Sequence, residues 1–128
     1  MRFKAGLRWL VRSVIGRWLI GWTFAHASSA LPVKRLYETP NLVAFHHPRP
    51  SYPAHVLIVP KAARSTLLDL SANDAPFLVD LLDAVRWLVV ELDLTAYRLI
   101  ANGGDYQDVP QVHFHLISDE AGDRTDGD

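Results

Sequence analysis

Gln111, His113 and His115 stand two residues apart in the run Gln111-Val112-His113-Phe114-His115-Leu116-Ile117. Polar and apolar residues alternate strictly, which is the period of a half-buried β-strand. The spacing predicts the three polar side chains on one face. It predicts Val112, Phe114 and Leu116 on the other, toward a core. Two imidazoles about 7 Å apart along a rigid strand are costly to bury without partners. They suit an anionic ligand or a metal. Three chemistries stay open on these residues alone. His-x-His on a strand can bind one ion through both rings. One histidine can be a nucleophile while the other binds phosphate. Or both are polar residues on a solvated face. The surroundings favour the second. His55 lies in another apolar strand and can converge on the same face, and no carboxylate is next to the histidines. A metal site commonly adds an acidic or third imidazole ligand, which an anion does not need. Asn102, Gly103, Gly104 and Gln107 precede the run, and glycine-turn amides and carboxamides are donors to phosphate oxygens.

These residues need a frame. Val33–Glu38, Leu42–His46, Ala54–Val59 and Tyr97–Ala101 read as strands, bounded by Thr39-Pro40-Asn41, the prolines at 48, 50 and 53, and Asn102-Gly103-Gly104-Asp105. Ser65–Leu70 reads as a short helical turn. A longer helix is expected from Asn73 to Leu92, capped by Ser71 or Asn73, with Asp74 at its positive end and Pro76 in its first turn. Its buried stripe is expected to be Leu78, Leu81, Leu82, Val85, Leu88 and Leu92.

The chain has 128 residues, 49% of them hydrophobic, four tryptophans and no cysteine. That fits one globular domain with a real core, and excludes disulfides, thiolate nucleophiles and cysteine-based zinc sites. Charge is uneven. Residues 1–37 hold seven basic residues and no acidic one, and the remaining 91 hold six basic and fourteen acidic. Residues 1–31 read as a basic amphipathic helix, with Lys4, Arg8 and Arg12 in a stripe and Trp9, Trp18 and Trp22 suited to an interface. Residues 1–27 suggest three roles: packing within the protein, peripheral contact with an anionic membrane, or, from Ala25-His26-Ala27, a cleaved leader. The longest charge-free run, Trp18 to Val33, falls short of the roughly 20 apolar residues of a membrane span. Residues 119–128 read as an acidic flexible tail. The expected location is cytoplasmic, with or without membrane association.

The organising run resembles the signature of the histidine triad (HIT) family, His-φ-His-φ-His-φ-φ with φ apolar. Leu42-Val43-Ala44-Phe45-His46, Pro53-Ala54-His55 and Ile58-Val59-Pro60-Lys61 resemble the family's first block. Tyr97-Arg98-Leu99-Ile100-Ala101-Asn102-Gly103-Gly104 resembles the strand and turn ahead of the triad. The resemblance covers roughly residues 32–118, taken as the domain. It implies an α+β fold: an antiparallel sheet of about five strands with one long and one short helix, commonly paired into a homodimer. It also implies action at a nucleotide α-phosphate. His113 would be the nucleophile, forming a nucleotidyl-histidine intermediate. His115 and His55 would hydrogen-bond non-bridging oxygens. Asn102, Gly104 and Gln107 would position the phosphate and leaving group. No metal or other cofactor is implied, and the partner is a nucleotide or another phosphorylated small molecule.

Three departures stand out. Gln111 replaces the first triad histidine and carries no proton to give at neutral pH. The segment from Asn102 to Gln107 is about two residues shorter than in the nucleoside phosphoramidase branch. His47 stands where that branch places a ribose-binding aspartate. Two rival readings follow: a catalytically weak nucleotide-binding or scaffold protein, and a His-x-His metal-binding protein.

Overall fold

The computed structural model describes residues 35–120. The expected basic helix and most of the acidic tail lie outside the described residues. Within them, five strands form one antiparallel sheet: β1 (Arg35–Glu38), β2 (Leu42–His46), β3 (Ala54–Pro60), β4 (Arg98–Ala101) and β5 (Phe114–Ser118). Their order is β1-β2-β3-β5-β4. The long helix α1 (Ala75–Glu91) connects β3 to β4, after short 3₁₀ turns at Leu67–Asp69 and Ala72–Asp74. The α+β architecture expected from the sequence is the one observed. Among the described residues, no helix is long and apolar enough to cross a membrane.

The sheet is held to α1 by one face. Leu42 and Ala44 of β2, Val56 and Ile58 of β3, and Val112, Phe114 and Leu116 pack with Phe77, Leu81, Ala84 and Leu88 of α1. Period-2 alternation then sends His55, Leu57 and His115 to the opposite face. All seven residues of β3 are buried, so its near-continuous apolar run is that of a central strand.

Two expectations shift. The buried stripe of α1 is Phe77, Leu81, Ala84 and Leu88, while Leu78 is 39% and Leu82 60% exposed. The helix carries apolar residues on more than one side, so the sequence pattern admits either rotation. The chosen one puts the small Ala84 against the sheet. It also lets Asp80 accept from the Thr39 hydroxyl (2.6 Å) and the Asn41 carboxamide (2.9 Å), tying α1 to the β1–β2 turn. Those hydrogen bonds hold the Asp80 carboxyl below the usual carboxylate range. The helix ends through Asp93 at φ 55, a left-handed residue that carries no glycine or proline signal.

The second shift concerns the organising run. The strand covers Phe114–Ser118, not 111–117. Its ladder with β3 stops at the pair Ile58–Phe114. Pro60 has no N–H to extend it. Residues 111–113 bond instead to the loop after β3, where the Val112 N–H donates to the Arg64 carbonyl at 2.8 Å. At the other end Ser118 is buried within β5, and the Thr95 N–H and hydroxyl both donate to the Glu120 carboxylate. The described residues therefore include the first two of the expected tail, Asp119 and Glu120.

Candidate active site

Backbone groups assign a tautomer to each ring of the histidine cluster. A neutral imidazole carries one N–H and one lone pair, and the partner of one nitrogen decides the state of the other. His113 Nδ1 lies 2.8 Å from the Gln111 carbonyl. A carbonyl only accepts, so Nδ1 carries the proton and Nε2 keeps its lone pair. His55 is the reverse. Its Nδ1 accepts from the Ser51 N–H at 3.0 Å, so Nε2 carries the proton. That Nε2–H donates to His115 Nδ1, 2.9 Å away. His115 therefore carries its proton on Nε2, and this buried nitrogen has no hydrogen-bond partner among the described residues.

An unpaired buried donor is uncommon and costly. The ring that carries the lone pair is its neighbour, the His113 and His115 ring centroids being 5.0 Å apart. The arrangement offers a nucleophilic nitrogen next to a donor with nothing to bind. That is the complement of an electrophilic centre carrying an anionic oxygen.

The rings are neutral at neutral pH. Burial first, then the neighbouring His113, His55 and His47, push His115 down to about 3. Burial and then His47 push His55 down to about 4. Burial lowers His113 as well, opposed by its bond to the Gln111 carbonyl and by the charge of Asp108. A deprotonated His113 is the form that can attack.

Gln111 does not join the rings. Its Nε2 donates to the carbonyls of Pro60 (3.3 Å) and Ala62 (3.1 Å), and its Oε1 accepts from the Arg64 N–H (3.3 Å). A carboxamide has two N–H donors and an acceptor, and a neutral imidazole has one of each. Glutamine can make all three of these bonds where histidine makes at most two. Arg64 is held in turn by Asp74 (3.0 Å), whose carboxyl also accepts from the Ser71 N–H. Gln111 thus ties the loop after β3 to the residue whose carbonyl orients His113. Replacing it with leucine leaves these backbone groups unpaired and is expected to cost about 1–3 kcal/mol of stability. Urea unfolding measures this, and a loss below about 0.5 kcal/mol, within the range of an ordinary surface change, would refute the role.

Gln107 also points elsewhere than expected. Its Nε2 donates to the carbonyls of Ser65 (2.6 Å) and Val109 (2.8 Å), so the amide holds the loop rather than facing a ligand. Asn102 follows β4, whose Ala101 pairs with Phe114, which places it beside His113 in register. Gly104 has φ +58, and a Cβ there would meet no atom within 4 Å. The glycine serves backbone conformation, not close approach. His47 stacks on His55 at 4.3 Å. Ser51, Asp108 and Arg64 were not singled out from sequence. The first and third act through backbone groups, which leave no signature in side-chain type. Among the described residues, no group of three or more His, Asp or Glu side chains is arranged to hold a metal ion.

Comparison with known proteins agrees with this geometry. The HIT domain family model matches residues 28–122. The adenosine 5′-monophosphoramidase of Saccharomyces cerevisiae is 34% identical over 91 residues, covering 70% of this chain and 56% of that protein's length. An uncharacterised HIT-like protein of Azospirillum brasilense is 31% identical over 93 residues, covering 69% of this chain and 76% of its own. Among solved structures, a HIT family hydrolase from Clostridium thermocellum aligns with a TM-score of 0.67 at 30% identity, over 73% of this chain and 85% of that one. One from Legionella pneumophila gives 0.65 at 31%, over 73% and 88%. With the family model matching most of its length and HIT structures of 30% identity or more sharing its fold, the chain belongs to the HIT domain family.

Proposed function

We propose that this protein is a nucleotide-processing hydrolase or transferase that works through His113. The carrying observation is the lone pair at His113 Nε2 beside the unpartnered Nε2–H of His115. In the first step His113 Nε2 attacks the α-phosphorus and forms a P–N bond. The bond to the leaving group breaks, and the leaving group departs with its electron pair. His115 Nε2–H donates to a non-bridging oxygen, and His55 holds His115 in the donating tautomer. In the second step water attacks phosphorus and gives up a proton to solvent, the P–N bond breaks, and the electron pair returns to His113 Nε2. Splitting one displacement into two is covalent catalysis. The register position of Asn102, opposite His113, supports a role for it in steadying the phosphate.

The amide of Gln111 is bonded to backbone carbonyls and has no proton to lend at neutral pH. The leaving group must then take its proton from water or leave charged. That favours poor-nucleophile, low-basicity leaving groups, and it keeps alive the reading of a nucleotide-binding protein with weak turnover. Mass spectrometry after brief incubation with aminoacyl and dinucleoside phosphates separates the two. A nucleotidyl adduct on His113 supports the enzyme. Tight nucleotide binding with no adduct and no product supports the weak binder.

The resemblance to the Saccharomyces phosphoramidase supports a nucleotide substrate, and the sheet supports a homodimer. β4 is an outer strand with exposed Leu99, and exposed Tyr97 just precedes it, so pairing β4 across a two-fold axis joins two sheets into one. Light scattering is expected to give twice the 14.4 kDa chain mass, and Leu99→Lys to lower it. A monomer at micromolar concentration would refute the dimer.

A further inference from the structure

The histidine cluster holds no base for the second step. When water attacks, the lone pair of His113 Nε2 is already in the P–N bond. His115 carries a proton on its free nitrogen, and both nitrogens of His55 are bonded, to the Ser51 N–H and to His115. His47 stacks on His55 at 4.3 Å, and its Nδ1 lone pair accepts from the Arg49 N–H at 2.9 Å. The Gln111 amide is bonded to loop carbonyls. Four rings therefore leave no lone pair for the proton that water must lose.

The fold brings a carboxylate to the same place. Residues 107–112 are fixed at both ends to one short stretch of chain. Gln107 Nε2 donates to the Ser65 carbonyl (2.6 Å), and the Val112 N–H donates to the Arg64 carbonyl (2.8 Å). Arg64 and Ser65 are consecutive, so their Cα atoms stand about 3.8 Å apart. The chain between the anchors closes into a small loop. Asp108 and His113, each next to an anchored residue, lie at its mouth. Gln107 and Val109 are buried, and the Gln107 amide also donates to the Val109 carbonyl, across Asp108. Between these two buried neighbours Asp108 itself is exposed. Its charge reaches His113. Burial lowers that ring, the bond to the Gln111 carbonyl opposes burial most, and the negative charge of Asp108 opposes it next.

We propose that Asp108 is the general base of the second step. As the water oxygen bonds to phosphorus, its proton passes, directly or through one further water, to an Asp108 carboxylate oxygen. The P–N bond breaks, and its electron pair returns to His113 Nε2. Asp108 then releases the proton to the solvent it faces. An ionised carboxylate only accepts, so Asp108 does not supply the departing group of the first step. A negative charge beside a phosphate site also repels the nucleotide, so Asp108 weakens binding while it serves turnover. The inference rests on the covalent reading of the proposed function and deepens it.

The test is the lifetime of the nucleotidyl adduct in the parent and in Asp108→Asn, followed by rapid quench and mass spectrometry with aminoacyl and dinucleoside phosphates. Asp108→Asn is expected to form the adduct within about threefold of the parent rate and to break it down about 10²-fold more slowly, the low end of what a positioned base contributes. The adduct then accumulates, and nucleotide binds the variant at least as tightly as the parent. Asp108→Glu, which keeps the carboxylate, is expected to break the adduct down faster than Asp108→Asn. A merely structural role would slow formation and breakdown together, and that result overturns the proposal. So do equal adduct lifetimes in the parent and Asp108→Asn, or an Asp108→Glu adduct that lasts as long as that of Asp108→Asn. An adduct with equal lifetimes removes only this inference. An adduct in neither protein removes the covalent mechanism and this inference with it.

Discussion

His113→Ala is expected to lower turnover by on the order of 10⁵-fold or more, the scale on which loss of a covalent nucleophile acts, and to abolish the nucleotidyl adduct. The size follows from what alanine removes. The Gln111 carbonyl fixes the ring with Nε2 unprotonated, so a nucleophile is oriented and ready without a separate base. No second residue replaces it. His115 presents a proton, not a lone pair, at its free nitrogen, both nitrogens of His55 are bonded, to the Ser51 N–H and to His115, and His47 Nδ1 accepts from the Arg49 N–H, which leaves the proton on Nε2. Rapid-quench kinetics measure the loss. A thermal melt run alongside separates lost chemistry from lost fold, and added imidazole is expected to recover part of the activity in His113→Gly. Turnover within about tenfold of the parent would show that His113 is not the nucleophile, since tenfold is only about 1.4 kcal/mol of barrier.

His115→Ala is expected to cost about 10²–10³-fold in turnover, the effect of removing one preorganised donor to a developing oxyanion. It also strands the Nε2–H of His55. His115→Gln keeps an N–H donor at similar reach and is expected to recover part of the loss, which a purely structural role would not predict. The same pair sets a pH dependence of stability. Both rings titrate in the fold well below their ordinary value of 6.5, at about 4 for His55 and about 3 for His115. As pH falls below about 6.5 the unfolded chain binds protons that the folded chain does not. Stability therefore declines from about pH 6.5 downward, until the folded rings titrate in turn. Melting temperature against pH is expected to fall across that window, and less steeply in His115→Gln. Equal slopes would mean that the acid limb belongs to other groups.

Much of the frame was legible in the chain. Leu42–His46 is a short apolar run bounded by turn residues, and the strand observed there has the same bounds. Ala54–Val59 read as a buried strand and gained only Pro60. Hydrophobic period and turn chemistry act locally, so they are visible residue by residue. The rotation of α1 was not, because Leu78 and Leu82 are as apolar as Phe77 and Ala84. Contact with the sheet, and the bonds from Thr39 and Asn41 to Asp80, chose between them.

The sequence by itself determined which residues meet at the site. His113 and His115 alternate with core residues, and His55 sits in an apolar strand that must pair nearby. It did not determine what each residue does there. Gln111 and Gln107 look like ligand-facing amides in one dimension, yet both are bonded to loop carbonyls some forty or more positions away, as from Gln111 to Ala62 and Gln107 to Ser65. The tautomers, and with them the division into one lone pair and three donors, depend on the carbonyl of Gln111 and on the N–H groups of Ser51 and Arg49. Every residue but proline carries such backbone groups, so their roles are written in no side chain. Only the folded path of the chain decides which ring nitrogen they reach.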